Sequence, residues 1–287
     1  MRHSATLTIG PRTFRIGSDW RAPVDAVETL YRDYPAPASP IPDYTVRLEA
    51  VRFGRRLIRP SVAIRGDYIL PEAVPQSLAH GLISAEMAMN LQMALGERRF
   101  LLLHASSVEK GGKVLIMTGE SGSGKSTLSA LLGSHGWRFM GDEFALIDPI
   151  SGAVHPFPRP ISLKNEAIGV MRTRLPAERF GPVQVATAKG DICHLIPDAA
   201  AIAGMNDPAP PALILFPGFG LPRAIRPVGT SEAFVRLTQA STNYTALGEA
   251  GFDALTRLVM GVPACAIDYP DTDTALALVD ELWAALA

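Results

Sequence analysis

The sequence predicts an α/β protein with a large core and a small β-rich N-terminal region, and three patterns support this. A buried-strand pattern at 113–118 runs directly into a glycine-rich loop and then into a helical pattern at 126–132. Further apolar strand-like runs alternate with helical patterns up to the C-terminus. Short β-like runs dominate the first 70 or so residues.

The N-terminal runs lie at 13–16, 44–48 and 57–64, around a proline-rich stretch at 35–42. We therefore expect a small β-rich region over 1–72, for which the sequence indicates no role, and a core over 73–287. A chain of 287 residues with 47% hydrophobic content is long enough to bury a core of this size.

The core is expected to begin with a helix from about 72 to 95. Its segment 79–95 is the most apolar part of the chain, but polar residues recur in it at helical spacing, so it predicts a buried amphipathic helix and not a membrane span. A strand over 100–108 should follow, paired through a hairpin at Gly111-Gly112 with the strand at 113–118. The later strands are expected at 137–140, 144–147, 212–216 and 263–267, and the later helices at 231–238, 251–260 and 272–285.

The most informative motif, called here the phosphate loop, joins the strand at 113–118 to its helix. It consists of Gly119, Glu120, Ser121, Gly122, Ser123, Gly124, Lys125, Ser126 and Thr127. Its glycines allow a tight turn whose backbone N–H groups face inward and hold phosphate oxygens. Lys125 would reach the β- and γ-phosphates, and Ser126 would ligate Mg²⁺. The alternative, a turn that binds nothing, is disfavoured by the flanking strand and helix, so the motif predicts ATP and Mg²⁺ binding.

An acidic pair, Asp142-Glu143, follows where the chain returns from the loop helix as the next strand. Adjacent residues of an extended segment point to opposite sides, so one carboxylate can face the phosphates while the other serves Mg²⁺ or a supporting contact. The alternative is a solvated turn.

Other candidates are less specific. His104 lies in an apolar run on the strand expected beside the loop strand, and a lone buried histidine is more often a core residue than a catalytic one. The chain has five lysines, all in the stretch that contains the phosphate loop. Lys164 and Lys189 are thereby candidates for phosphate contact, although ordinary solvated lysines would explain them equally well.

Composition narrows the class of partner. A formal charge of −1 predicts no bulk attraction to nucleic acid or to an anionic membrane. The two cysteines, Cys193 and Cys265, lack metal-ligand spacing, and the N-terminus has no apolar run long enough for a signal peptide. A reduced cytoplasmic location is therefore expected.

Three segments, 104–108, 115–126 and 136–143, together resemble the catalytic core of the bacterial HPr kinase/phosphorylase family. The match is closer to the group called HprK-related kinase A, whose pattern is similar to 157–165, 189–190, 243–248, 251–252 and 269–275. The resemblance covers about residues 75 to 287. It implies a phosphate-loop core with a mixed sheet, like the nucleotide half of phosphoenolpyruvate carboxykinase and unlike a Rossmann-like NTPase.

The resemblance also implies roles for single residues. Asp142 would take the proton from an acceptor serine, Glu143 would assist Mg²⁺, and His104 would support the acid or the transferred phosphoryl group. Arg159, Lys164 and Lys189 would contact the triphosphate or the phosphorylated product, although a buried structural role is the alternative for Arg159. Glu143 stands where HPr kinase has a second aspartate, and the family's downstream glycine-rich signature is absent from the sequence. A reverse phosphorylase reaction and HPr itself as substrate are therefore not implied.

Three functions follow as hypotheses. The leading one is an ATP- and Mg²⁺-dependent kinase that phosphorylates a serine of a small protein or ribosomal peptide. The second is a kinase for a small-molecule hydroxyl, which a closed pocket would favour over an open docking groove. The third is an ATP-binding regulatory module that transfers nothing. Self-association of some kind is expected from the family.

Overall fold

The structure is a computed structural model that describes residues 2–37 and 39–286. Its strands are β1 His3–Ile9, β2 Arg12–Ser18, β3 Tyr44–Ala50, β4 Ser61–Gly66, β5 Gln76–Ser77, β6 Leu101–Leu103, β7 Ala105–Lys110, β8 Lys113–Thr118, β9 Arg138–Gly141, β10 Ala145–Ile147, β11 Val154–His155, β12 Ile161–Lys164, β13 Gln184–Thr187, β14 Gly190–Leu195, β15 Pro211–Phe219, β16 Ala224–Val228 and β17 Ala264–Tyr269. Its α-helices are α1 Arg21–Leu30, α2 Gly81–Gly96, α3 Lys125–Gly133, α4 Glu166–Arg172, α5 Ala199–Ala203, α6 Thr230–Ala240, α7 Tyr244–Leu247, α8 Glu249–Gly261 and α9 Thr272–Ala284. Short 3₁₀ helices lie at Phe53–Arg56, Leu78–His80 and Ala177–Arg179.

A mixed six-stranded sheet, in the order β16-β17-β15-β8-β7-β9, forms the centre of the core. β8, β15 and β17 run parallel, whereas β7 runs antiparallel to both β8 and β9. The carboxyl ends of β8, β9, β15 and β17 therefore meet the amino end of β7 along one edge of the sheet. The α/β class and the mixed sheet that the sequence predicts are confirmed.

β8 is apolar over most of its length because both of its faces are covered. Its side chains alternate, so that Leu115 and Met117 pack with α3 and α9, while Val114 and Ile116 pack with α6 and α8. The predicted strand at 113–118 and the hairpin to β7 are confirmed, and α3 begins one residue before the predicted start.

The N-terminal region forms a five-stranded sheet in the order β1-β2-β3-β4-β5, in which only β2 and β3 pair in parallel. α2 packs on this sheet, and its buried residues Met89 and Met93 join a cluster that also contains Leu102 and Phe157 of the core. The β-rich region thus shares one apolar cluster with the segments that follow it. The boundary at 72/73 stays a prediction.

Two predicted elements begin later in the chain than the sequence predicts. The helix expected from about 72 begins only at Gly81, because Pro71 and Pro75 interrupt the segment and Ser77 caps the 3₁₀ turn that leads into α2. The strand expected from 57 begins at Ser61, after the 3₁₀ helix at Phe53–Arg56. In the described part of the chain, no helix is both long and apolar enough to cross a membrane.

Asn243 joins α7 to β6 through three backbone groups. Its buried amide accepts a hydrogen bond from Leu102 N at 2.9 Å and donates to the carbonyl oxygens of Phe100 at 2.8 Å and Glu97 at 3.1 Å. We expect Asn243→Ala to lower the free energy of unfolding by about 3 kcal/mol, because these buried groups would lose their partner. Urea denaturation measures the change, with the exposed Asn206→Ala as the control. Equal stability of the two variants would contradict the prediction.

Candidate active site

The phosphate loop leaves the end of β8 and enters α3, in the context that the sequence predicts. Gly122 and Gly124 have φ angles of 90° and 95°, in the left-handed region that favours glycine. A Cβ atom at Gly124 would also collide with the hydroxyl of Tyr269, which donates a hydrogen bond to Ser123 O at 3.2 Å. Both the backbone angle and the close approach of Tyr269 therefore require glycine at 124.

Lys125, the first residue of α3, is almost fully buried at the centre of the loop. Its ammonium group donates to the carbonyl oxygens of Gly119 at 2.7 Å and Glu120 at 2.9 Å. Burial lowers the pKa of Lys125, nearby Asp142 opposes this shift, and Lys164 adds to it. The loop thus holds a buried positive charge beside the N-terminus of a helix, an arrangement that attracts anions.

Asp142 lies directly after β9, buried against the same end of the sheet. Its Oδ1 accepts a hydrogen bond from Ser106 Oγ of β7 at 2.6 Å. Burial and the neighbouring Glu143 raise the pKa of Asp142, whereas hydrogen bonding by Ser106 and Ser126 and the charge of Lys164 act against the rise. A buried carboxylate beside Ser126 of the loop, with its pKa raised, is suited to accept a proton.

His104 differs from the prediction. The strand expected over 100–108 is two strands in different sheets, and the chain changes sheets at His104, whose N–H donates to Ala240 O at 2.8 Å outside either ladder. As a result the imidazole is 49% exposed and not buried. Its Nδ1 lies 3.1 Å from Glu143 O and 3.8 Å from Glu143 Oε2, so the histidine still borders the acidic pair.

The two candidate lysines are placed differently. Lys164 ends β12, half-buried, and its charge acts on both Lys125 and Asp142. Lys189 is exposed in the turn between β13 and β14, where its N–H donates to Thr187 Oγ1 at 3.1 Å. Lys164 is therefore within electrostatic range of Lys125 and Asp142, and a phosphate contact by either Lys164 or Lys189 stays a prediction.

Arg159 is buried away from solvent in a network with α2 and the end of α1. Its guanidinium pairs with the carboxylate of Glu86, bonds to the side chain of Asn90, and reaches Glu86 O at 3.0 Å. Burial by itself would lower the pKa of Arg159, but Glu86 and Tyr31 raise it above its usual range. This arrangement favours the structural alternative for Arg159 over a nucleotide contact.

Three residues near the site were not singled out from the sequence. Ser106 and Tyr269 are ordinary strand residues until the sheet places them against Asp142 and the loop. His194 of β14 is buried, and its Nδ1 has no hydrogen-bond partner among the described residues. Burial lowers the pKa of His194, which lies within electrostatic range of Glu86 and Glu143. Ser106 and Tyr269 lie in segments that carry the family resemblance, but the sequence assigns neither a role, because their contacts join distant segments.

The donors at the site fit Mg²⁺. A serine hydroxyl from Ser126 and the carboxylates of Asp142 and Glu143 are hard oxygen ligands, and Mg²⁺ in such sites is usually held by one or two carboxylates together with substrate phosphates. Over residues 2–37 and 39–286, no group of three or more histidine, cysteine or acidic side chains is placed to hold a metal alone. The residues present would therefore hold Mg²⁺ jointly with a nucleotide.

Comparison with known proteins yields distant structural similarity only. No protein-family model matches the chain, and no curated protein matches it. Among solved structures, the chain is similar to the Hpr(Ser) kinase/phosphatase from Coxiella burnetii, at 14% identity and a TM-score of 0.29, over 62% of this chain and 90% of that one. A TM-score this low supports no inference about function.

The raised pKa of Asp142 predicts a pH-dependent effect on stability. The pKa of Asp142 in the fold lies above the ordinary value of 3.8. The free energy of unfolding therefore falls as the pH rises from 3.8 through the value in the fold, because ionised Asp142 is disfavoured in its buried position. We expect Asp142→Asn to melt at a higher temperature than wild type at neutral pH, because the amide keeps the Ser106 contact without a charge. The advantage should shrink toward about pH 4. Thermal melts over this range measure it, and a lower melting temperature at neutral pH would contradict the prediction.

Removing Arg159 distinguishes its two roles. We expect Arg159→Ala to lower the free energy of unfolding by about 3–5 kcal/mol, because it leaves the Glu86 carboxylate buried without its partner. Chemical denaturation checks this, with Arg223→Ala at the exposed pair with Glu281 as the control, expected to cost about 1 kcal/mol or less. A stable Arg159→Ala protein that has lost ATP binding would support a nucleotide contact instead.

Proposed function

We propose that this protein is an ATP- and Mg²⁺-dependent kinase that transfers the γ-phosphoryl group to a serine hydroxyl of a small protein or peptide. The observation that carries the proposal is the convergence of Lys125 and Asp142 at one edge of the central sheet. A buried ammonium group suited to phosphates lies close enough to a carboxylate of raised pKa that the charge of Asp142 raises the pKa of Lys125 against the effect of burial.

The chemistry follows from what each group can do. The backbone of the loop and Lys125 would bind the phosphates and offset the charge that develops on them during transfer. Asp142, oriented by Ser106, would accept the proton of the attacking hydroxyl as its oxygen bonds to the γ-phosphorus. The bond to the β-phosphate oxygen breaks, and ADP leaves. Ser126 and the acidic pair would hold Mg²⁺, which would supply positive charge to offset the charge of the phosphates.

Exposure of the loop favours a macromolecular acceptor. Glu120, Ser121 and Gly122 are exposed, and His104 borders the acidic pair with about half of its side chain in solvent. An open face of this kind admits a serine on a protein segment, whereas a small metabolite is usually bound in an enclosed pocket. The openness supports a protein or peptide over a free small-molecule hydroxyl.

The decisive experiment follows the label of [γ-³²P]ATP in purified protein with Mg²⁺ and lysate from its own source. We expect a small protein or peptide to be labelled on serine by wild type. Asp142→Asn should abolish transfer while ATP binding, measured by calorimetry, persists, because the substitution removes the base and keeps the loop. Lys125→Met should weaken ATP binding itself.

Ser106→Ala is the matched test of positioning, because it removes the hydroxyl that orients Asp142 and leaves the carboxylate. We expect it to lower kcat by about 10²-fold with little change in KM for ATP. Transfer that is equal in wild type and Asp142→Asn would overturn the role of Asp142. Label released only as inorganic phosphate, at the same rate in both proteins, would point to a regulatory ATP-binding module.

A further inference from the structure

An arginine-rich segment lies on the N-terminal sheet, outside the site described above. Between Ala50 and Gly66 the chain has five arginines and no acidic residue, although its formal charge over the full length is −1. Arg52, Arg55 and Arg59, called here the arginine patch, are exposed, and none of them forms a salt bridge within the described residues. The patch is therefore a local concentration of positive charge that the fold does not neutralise.

Large apolar side chains share this segment with the arginines. Phe53 is 87% exposed, Leu57 79% and Ile58 73%. Single exposed apolar residues are common on protein surfaces, but three of them between residues 53 and 58 indicate a contact surface. A partner for the segment should therefore offer both carboxylates and apolar side chains.

A cleft of about 680 Å³ adjoins the arginine patch. Arg55 and Arg59 form one side of it together with Pro60 and Ser61, and residues 75–79 form the other. The second side contains β5, a two-residue strand at the edge of its sheet, and the two sides are joined, because Ser77 pairs with Ser61 and Leu78 N donates to Pro60 O at 3.2 Å. The other edge of β5 pairs with no strand among the described residues, and an extended chain can add to an edge of this kind.

The arginine side of the cleft is fixed to the fold. Arg56 donates to Asp19 O at 3.0 Å, and Trp20 Nε1 donates to Arg56 O at 2.9 Å. Arg59, immediately before Pro60, has a φ of 46°, in the left-handed region that favours glycine.

The cleft adjoins the three-stranded sheet that bears Lys164. Ala79 lines the cleft, and the next residue, His80, places Nε2 3.0 Å from Val185 O of β13. β13 pairs with β14, and β14 pairs with β12, so that Lys164 lies opposite Ile192. The sheet that bears Lys164 therefore extends to the rim of the cleft.

We propose that the arginine patch and its cleft dock an acidic, leucine-containing extended segment of the protein that the kinase phosphorylates. The role of that protein as acceptor rests on the proposed function, but its binding does not. A concave cleft beside an edge strand fits an extended peptide better than a lipid surface, which a convex or flat face would suit. Alternating acidic and apolar side chains on such a strand would place carboxylates against the arginines and leucines against the apolar group.

The test measures binding of a short fluorescent peptide of alternating glutamate and leucine by anisotropy, without nucleotide. We expect wild type to bind, and Arg55→Glu/Arg59→Glu to bind at least about tenfold more weakly. Arg223→Glu/Arg257→Glu, which makes the same charge change on exposed arginines elsewhere, should bind as wild type does. Arg59→Gly should weaken binding while the melting temperature stays the same or rises, because it removes the guanidinium and relieves the backbone.

Several outcomes would overturn the docking proposal. These are equal binding by the Arg55→Glu/Arg59→Glu protein, equal binding of a glutamine-leucine peptide, or patch-dependent binding to phosphatidylserine vesicles with none to the acidic peptide. Asp142→Asn should bind the peptide normally, which separates docking from catalysis. Peptide binding without transfer to any acceptor would remove the proposed kinase function and retain the docking surface, whereas transfer to the acceptor at an unchanged rate by the Arg55→Glu/Arg59→Glu protein would do the reverse.

Discussion

The candidate active site depends on the register of β7 between β8 and β9. Ala105 lies opposite Thr118 at the end of β8, and Ser107 lies opposite Gly141 at the end of β9. This pairing brings the phosphate loop and the acidic pair to the same edge of the sheet, with Ser106 between them. A shift of β7 by one residue would turn Ser106 to the opposite face and remove its bond to Asp142.

The buried polar network around Arg159 ties the segment that follows β9 to α2 and to the N-terminal region. Phe157 N donates to Met140 O at 2.6 Å, so the segment that carries Arg159 is tied to β9 just before the acidic pair. Arg159 then joins α2 through Glu86, and Tyr34 at the end of the α1 region bonds to Pro158 O. A buried ion pair is costly to break and contributes less to net stability than to fixing how segments meet. The N-terminal region is in this way linked to the position of Asp142.

Sequence reasoning succeeded where the signal is local. The hairpin at Gly111-Gly112, the strand over 113–118 and the turn from that strand into α3 each follow from consecutive residues whose conformation is set by glycine or by continuous burial. It failed at His104, where an apolar run that predicts one strand is divided between two sheets. Apolar periodicity reports that a segment is buried but not which partner strands it pairs with, so the break at His104 leaves no trace in the pattern.

The site shows the same division between local and distant information. The sequence by itself determined the residue types of the phosphate loop and the acidic pair, and the φ angles and the close approach of Tyr269 explain why two of its positions are glycine. Only the tertiary structure decided that Ser106 bonds to Asp142, that Lys164 lies within electrostatic range of Asp142 and that Arg159 is committed to Glu86. Loop conformation depends on neighbours along the chain, whereas the placement of a side chain depends on which distant segments the sheet brings together.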